Sequence, residues 1–152
     1  MNFIRKLYVP IGALDRGLNW ISPLFLLGLR VCIADVFIKS GLTKMQDFSS
    51  TVALFENEYK VPFISPALAA VSGTAAELIL PALLVAGLAS RPAALALFVF
   101  NIIAVVSYPE ISAAGVQDHV LWGTVILVVA FFGSGRFSMD HWLKSRLGLA
   151  TA

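Results

Sequence analysis

The chain has 152 residues, of which 59% are hydrophobic and only 13% charged, with a mean hydropathy of +0.86. A soluble domain of this size is about 45–50% apolar and about 25% charged, and has too little interior to hide the excess. This excludes an ordinary soluble enzyme, a disordered chain and a disulfide scaffold; the net charge of +2 is too small to point to nucleic acid.

The first twenty residues carry Arg5, Lys6, Asp15 and Arg16 and are interrupted by Pro10 and Gly12. They read as a cytoplasmic or interfacial lead-in (1–21), with Phe3, Leu7 and Tyr8 as anchors. Four stretches then have the length and apolarity of a spanning helix, which needs about 20 residues. They are 22–44, 66–88, 92–109 and 119–135, inside a transmembrane unit 22–143 followed by a tail 144–152. No two-residue alternation recurs, so a barrel is not expected. The expected fold is all-α: an integral membrane four-helix bundle.

Between spans 1 and 2, Phe48, Val52, Phe55 and Tyr59 recur at helical spacing, with Glu56, Glu58 and Lys60 among them. This predicts a short amphipathic helix ended by Pro62 and Pro66, either a plain surface helix or a lid over a cavity. The turn Ala89-Ser90-Arg91-Pro92 joins spans 2 and 3, Pro92 suiting a first helical turn. Arg5, Lys6, Arg16, Arg91, Arg136, Lys144 and Arg146 fall on one side, Lys44 and Lys60 on the other. Positive residues favour the cytoplasm, so both termini are expected inside.

Charge within lipid is costly, at least about 2.5–3.5 kcal/mol per residue on insertion scales. Arg30, Asp35, Lys39 and Glu77 nevertheless fall inside the expected spans and sum to zero charge. Asp35 and Lys39 have the i, i+4 spacing of an intrahelical pair. Arg30, Phe37, Gly41 and Lys44 share a stripe on span 1, and Gly73, Glu77 and Pro81 share a face of span 2. Counted from the cytoplasmic ends at 1.5 Å per residue, Arg30, Glu77 and Asn101 lie about 12, 16 and 14 Å deep. One mid-membrane layer with an Arg30–Glu77 pair follows, fixing helix register or serving function. Lys44, Tyr108, Asp118, His119 and Trp122 gather near the outer ends. Tyr108 and Trp122 suit an aromatic belt, and His119 suits an interfacial cap or a proton carrier. Cys32, the only cysteine, reads as a small buried hydrophobe. No haem, flavin or metal-ligand motif is present; His119 and His141 fall on opposite sides of the membrane.

Taken together, these residues resemble the DoxX family of small four-helix membrane proteins. The resemblance rests on Leu29-Arg30 with Phe37, Lys39-Ser40-Gly41-Leu42 and Lys44. It continues through Ala76-Glu77-Leu78, Gly87-Leu88 with Arg91, and Asp118-His119 with Trp122. Last comes Gly133-Ser-Gly-Arg-Phe-Ser-Met-Asp140, in which Ser134 stands where the family usually has proline. Leu54-Phe-Glu-Asn-Glu-Tyr59, Thr74-Ala-Ala-Glu-Leu78 and Val106-Ser-Tyr-Pro109 resemble an HvfX-like subgroup, encoded beside iron enzymes that modify small metal-binding peptides in Gram-negative bacteria. The resemblance implies an inner-membrane subunit linked to quinone oxidoreduction, working with a soluble or membrane redox partner. In that setting Arg30, Lys44, Glu77 and His119 are the candidate catalytic residues. Phe37, Gly41, Asn101, Tyr108 and Trp122 are the candidate quinone-binding residues. Lys44 or His119 would donate to a carbonyl, and Phe37 and Trp122 would stack on the ring. Two non-enzymatic readings remain beside it: a membrane anchor for a metal- or redox-stress enzyme system, and a small proton- or solute-conducting module. A homo-oligomer stays open in each.

Overall fold

The structure is a computed structural model that describes residues 2–149, with side chains from Pro10 to Leu149; the anchors expected at Phe3, Leu7 and Tyr8 lie outside the described side chains. It is all-α, with no strand among the described residues. The helices are α1 (Asn2–Gln46), α2 (Phe48–Asn57), α3 (Pro66–Ala86), α4 (Ser90–Ser107), α5 (Ala113–Phe132) and α6 (Met139–Arg146). Four of them, α1, α3, α4 and α5, are long and apolar enough to cross a membrane. Their outward surface is apolar, with Val99, Val106, Val120 and Phe131 exposed. The apolar seam buried between them includes Ile33, Phe37, Leu84, Leu97, Ile126 and Val129.

Local chemistry sets the boundaries. Asp47 opens α2 by accepting from the Ser50 amide at 3.0 Å. The two serine hydroxyls of Ser49 and Ser50, with that amide, hold its carboxyl at a pKa of about 2. Ser65 caps α3 with Pro66 in its first turn, and Gly87 ends it in the left-handed conformation that glycine adopts without Cβ strain. Ser112 caps α5, so that helix starts six residues before the charge-free stretch that marked it in the sequence. Asp118 and His119 therefore lie inside it, a turn and a half from its start.

The largest departure from expectation is α1. Neither Pro10 nor Pro23 breaks it. Pro23 has no N–H to offer the carbonyl of Asn19, and the Ser22 hydroxyl donates to that carbonyl instead at 3.3 Å. Residues 10–22 run past the bundle, with Ile11, Leu14, Leu18 and Ile21 exposed on one face. The bundle proper begins where Pro23 and Leu26 meet Gly135 of the α5–α6 loop. This end, carrying the N-terminal half of α1 and α6, is called the terminal end below.

At the other end, the far end, α1 stops early. A Cβ at Gly41 would lie 3.1 Å from Cβ of Glu77, so these two residues share a level. From that level α1 continues only about 7 Å to Gln46, whereas α3 continues about 16 Å to Pro66. Helix α2 folds into the vacated space. Phe55 packs on Ala69 and Ala70 of α3, with Val52, Tyr59 and Val61 around it. The expected amphipathic helix is therefore present, and its apolar face turns into the protein.

Candidate functional site

Arg30, Glu77 and Asn101 do not form one layer. Glu77 pairs with Lys44, whose Nζ lies 2.8 Å from each carboxylate oxygen. Ser40 joins them, donating to Glu77 at 3.1 Å and accepting from Lys44 at 2.8 Å. Both charged side chains are largely enclosed, at 15% and 9% exposure. Gly41 permits this: any side chain there would press on Leu78 at 2.8 Å and keep α1 off α3.

The expected Arg30–Glu77 pair does not form. Arg30 is wholly buried at the terminal end, where its guanidinium donates to the carbonyls of Leu84 (3.2 Å) and Phe137. Counting depth from residue 22 misplaced it, because α1 is continuous and the bundle's terminal turns lie level with Arg30 itself. Beside it, Asp140 receives the Ala89 and Ser90 amides at 2.8 and 2.9 Å and the Ser90 hydroxyl at 2.8 Å. Burial pushes the Asp140 carboxyl up. The hydrogen bonds from Ser90 and Ala89 and the charge of Lys144 outweigh it, and its pKa is lowered. Asp35 and Lys39 pair as expected, at 2.7 Å, on an open face.

Asn101 is held by His119 rather than by the α1–α3 charges, contacting its Nδ1 at 2.8 Å and its carbonyl at 3.0 Å. Trp122 lies edge-on to His119 (4.7 Å between centroids) and to Phe37 (5.9 Å). Phe37 is buried and also meets Phe100, so it belongs to the core between the sites.

Around Lys44 and Glu77 lies a cavity of about 630 Å³ between α3, α4 and the α2–α3 connection. Its walls are apolar: Phe55, Val61, Ile64, Ala69, Phe100 and Ile103 among them. Phe63, at φ 70 and fully exposed, stands at its edge. On the α2 side the rings of Phe55, Tyr59 and Tyr108 form a stack with centroids 4.6 and 5.0 Å apart. Burial, then the charge of Glu77, raises the pKa of Tyr59. The charge of Glu58, then burial, raises that of Tyr108. Both phenols therefore stay protonated at neutral pH.

Of the sequence-selected residues, the structure brings Lys44 and Glu77 together at this cavity, with Gly41 packed behind Glu77 and Tyr108 one ring away. His119, Asn101 and Trp122 form a second cluster across α4, and Arg30 stands apart. Sequence reasoning did not select Ser40, Phe55, Tyr59 or Phe100 as site residues. The helical spacing of Phe55 and Tyr59 was the available signal. No cluster of three or more His, Cys, Asp or Glu able to hold a metal occurs among the described residues.

Searches of curated proteins and of solved structures found no match. The family model described as DoxX matches residues 25–109, spanning the bundle part of α1 together with α2, α3 and α4. That is more than half of the chain, and it includes the Lys44–Glu77 pair and most of the cavity wall. This protein, with its four helices of spanning length, belongs to the DoxX family.

Proposed function

We propose that this protein binds a quinone in the Lys44–Glu77 cavity and serves as the membrane subunit of a quinone-linked oxidoreductase, of the HvfX-like kind. The observation that carries this reading is an apolar chamber among helices of membrane-spanning length whose wall holds one ion pair. Its volume of about 630 Å³ lies within the 300–1,000 Å³ usual for small-molecule sites. A quinone needs apolar walls for its ring and tail and a donor for a carbonyl. Lys44 would supply the donor: its three N–H groups meet Ser40 and the two Glu77 oxygens, and one of the two Glu77 contacts would be exchanged for the quinone carbonyl. Glu77 is placed to hold or pass a proton, and Tyr59 offers a protonated phenol beside it. A bound quinone would supply two-electron, two-proton redox chemistry; the electrons come from a partner protein.

In the same reading the terminal end faces the bacterial cytoplasm, following the distribution of Lys and Arg. The N-terminal part of the continuous α1, with its exposed apolar face at residues 11–21, then extends past the bundle on that side.

The test is extraction of purified protein followed by quinone analysis. Wild type is expected to retain quinone near one per chain, and Lys44→Ala and Glu77→Gln to lose most of it. Equal quinone content in all three overturns the site. A second polypeptide that co-purifies without quinone supports the anchor reading, and ion flux in liposomes supports a conducting module.

A further inference from the structure

A second groove, of about 350 Å³, lies on the other flank of α4, against α5. Phe98, Asn101, Val116, His119, Gly123 and Thr124 line it, and a ridge of Ile102 and Val106 separates it from the main cavity. Gly123 keeps it open beside Asn101: a Cβ there would sit 3.2 Å from the Asn101 amide nitrogen and 3.3 Å from the Phe98 ring.

The protonation of His119 follows from its partner. The Asn101 amide nitrogen donates to the His119 backbone carbonyl, which can only accept. That fixes the amide, so its oxygen faces Nδ1 of His119. An amide oxygen can only accept as well, so Nδ1 carries a proton. In the neutral ring the lone pair then belongs to Nε2, which has no hydrogen-bond partner among the described residues. The edge of Trp122 packs against the ring at 4.7 Å and sets its plane. The two sites differ in kind. The main cavity is lined by an ion pair, and the groove by a histidine whose neutral ring keeps its acceptor at Nε2.

We propose that the α4–α5 groove is a second ligand site, taking the hydroxyl end of an apolar phenol or alcohol, which donates to Nε2 of His119. A quinol and a lipid alcohol such as a diacylglycerol share this chemistry. The inference stands on the groove alone and does not require the quinone reading of the main cavity.

The test uses full-length protein in nanodiscs, with ¹⁵N-labelled histidine and anaerobic titration by duroquinol, duroquinone or dioctanoylglycerol. The free protein is expected to show an unprotonated Nε2 at His119. Duroquinol, dioctanoylglycerol or both then shift that resonance, and the responding ligand names the source. One hydrogen bond is worth up to about tenfold in affinity, so His119→Phe should weaken the responding ligand by that order. Val120 also lines the groove, is exposed and takes no part in the Asn101–His119 hydrogen bonds; Val120→Trp, which adds bulk there, should cause a comparable loss. Duroquinone, which has no hydroxyl, should bind both variants as it binds wild type. The proposal is overturned if Nε2 proves to be the protonated nitrogen. It is equally overturned if neither hydroxyl ligand shifts the resonance, or if both variants leave their binding unchanged. Absence of duroquinone binding to wild type, with the His119 shift intact, removes the main-cavity reading and keeps this one.

Discussion

At the terminal end a single cation, Arg30, is sealed from every side and bound to two backbone carbonyls. At the far end a cation and an anion, Lys44 and Glu77, face each other on the wall of a chamber. The first arrangement ties the last turn of α3 to the α5–α6 loop and leaves no room for a ligand. The second leaves both charges within reach of one. A buried charge is therefore not by itself a sign of function; what separates the two is whether the shell around it is closed.

That contrast can be broken most sharply at the charges themselves. Removing one member of a buried pair costs about 3–5 kcal/mol, because the other is left uncompensated. Lys44→Met should therefore destabilise the detergent-solubilised protein strongly, and Lys44→Met/Glu77→Leu should recover much of the loss. Thermal denaturation of the single and double variants checks this, and a double variant as unstable as the single would show that the pair is not an isolated unit.

Arg30→Leu should also be costly, by about 2–4 kcal/mol, because it removes two charge-assisted hydrogen bonds that tie α3 to the α5–α6 loop. Unlike the Lys44 change, it should leave ligand affinity at the far end unaltered in whatever fraction stays folded. A parallel loss of affinity would show that the ends are coupled.

Asp140 gives the terminal end a pH signature. Its folded pKa lies below the ordinary 3.8, so its stabilisation is fully present above about pH 4 and is lost as pH falls through the lower folded value. Melting temperature should drop below pH 4 in wild type and much less in Asp140→Asn, which starts from a lower plateau. The smallest effect belongs to the exposed Asp35–Lys39 pair. Asp35→Ala should shift stability by no more than about 0.5 kcal/mol, and a larger loss would mean that lipid shields the pair more than its open face suggests.

The sequence carried the four spans, the short helix and the Asp35–Lys39 pair, because each depends on local spacing. Arg30 was recognisable as a buried charge, but its partners escaped because they are main-chain carbonyls, which every residue has and no sequence marks. Lys44 and Glu77 were both recognisable as site candidates, but their pairing depends on Gly41 bringing α1 against α3 and on where α1 ends. Its continuation through Pro10 and Pro23 shifted the whole depth scale. The chamber was legible only as one of two readings of the short helix, because it depends on α1 being short at the far end and on α2 only partly filling the gap.

The connection that closes this chamber is tied to α4 by one main-chain hydrogen bond, from the Lys60 amide to the Ser107 carbonyl at 2.7 Å, together with the Tyr59–Tyr108 ring contact. Such a bond contributes only about 0.5–1.5 kcal/mol. It works as a latch rather than a weld. The Lys60 amide is thus a natural reporter: each break of this bond exposes that one hydrogen to exchange, and its exchange rate would count how often the connection parts from α4.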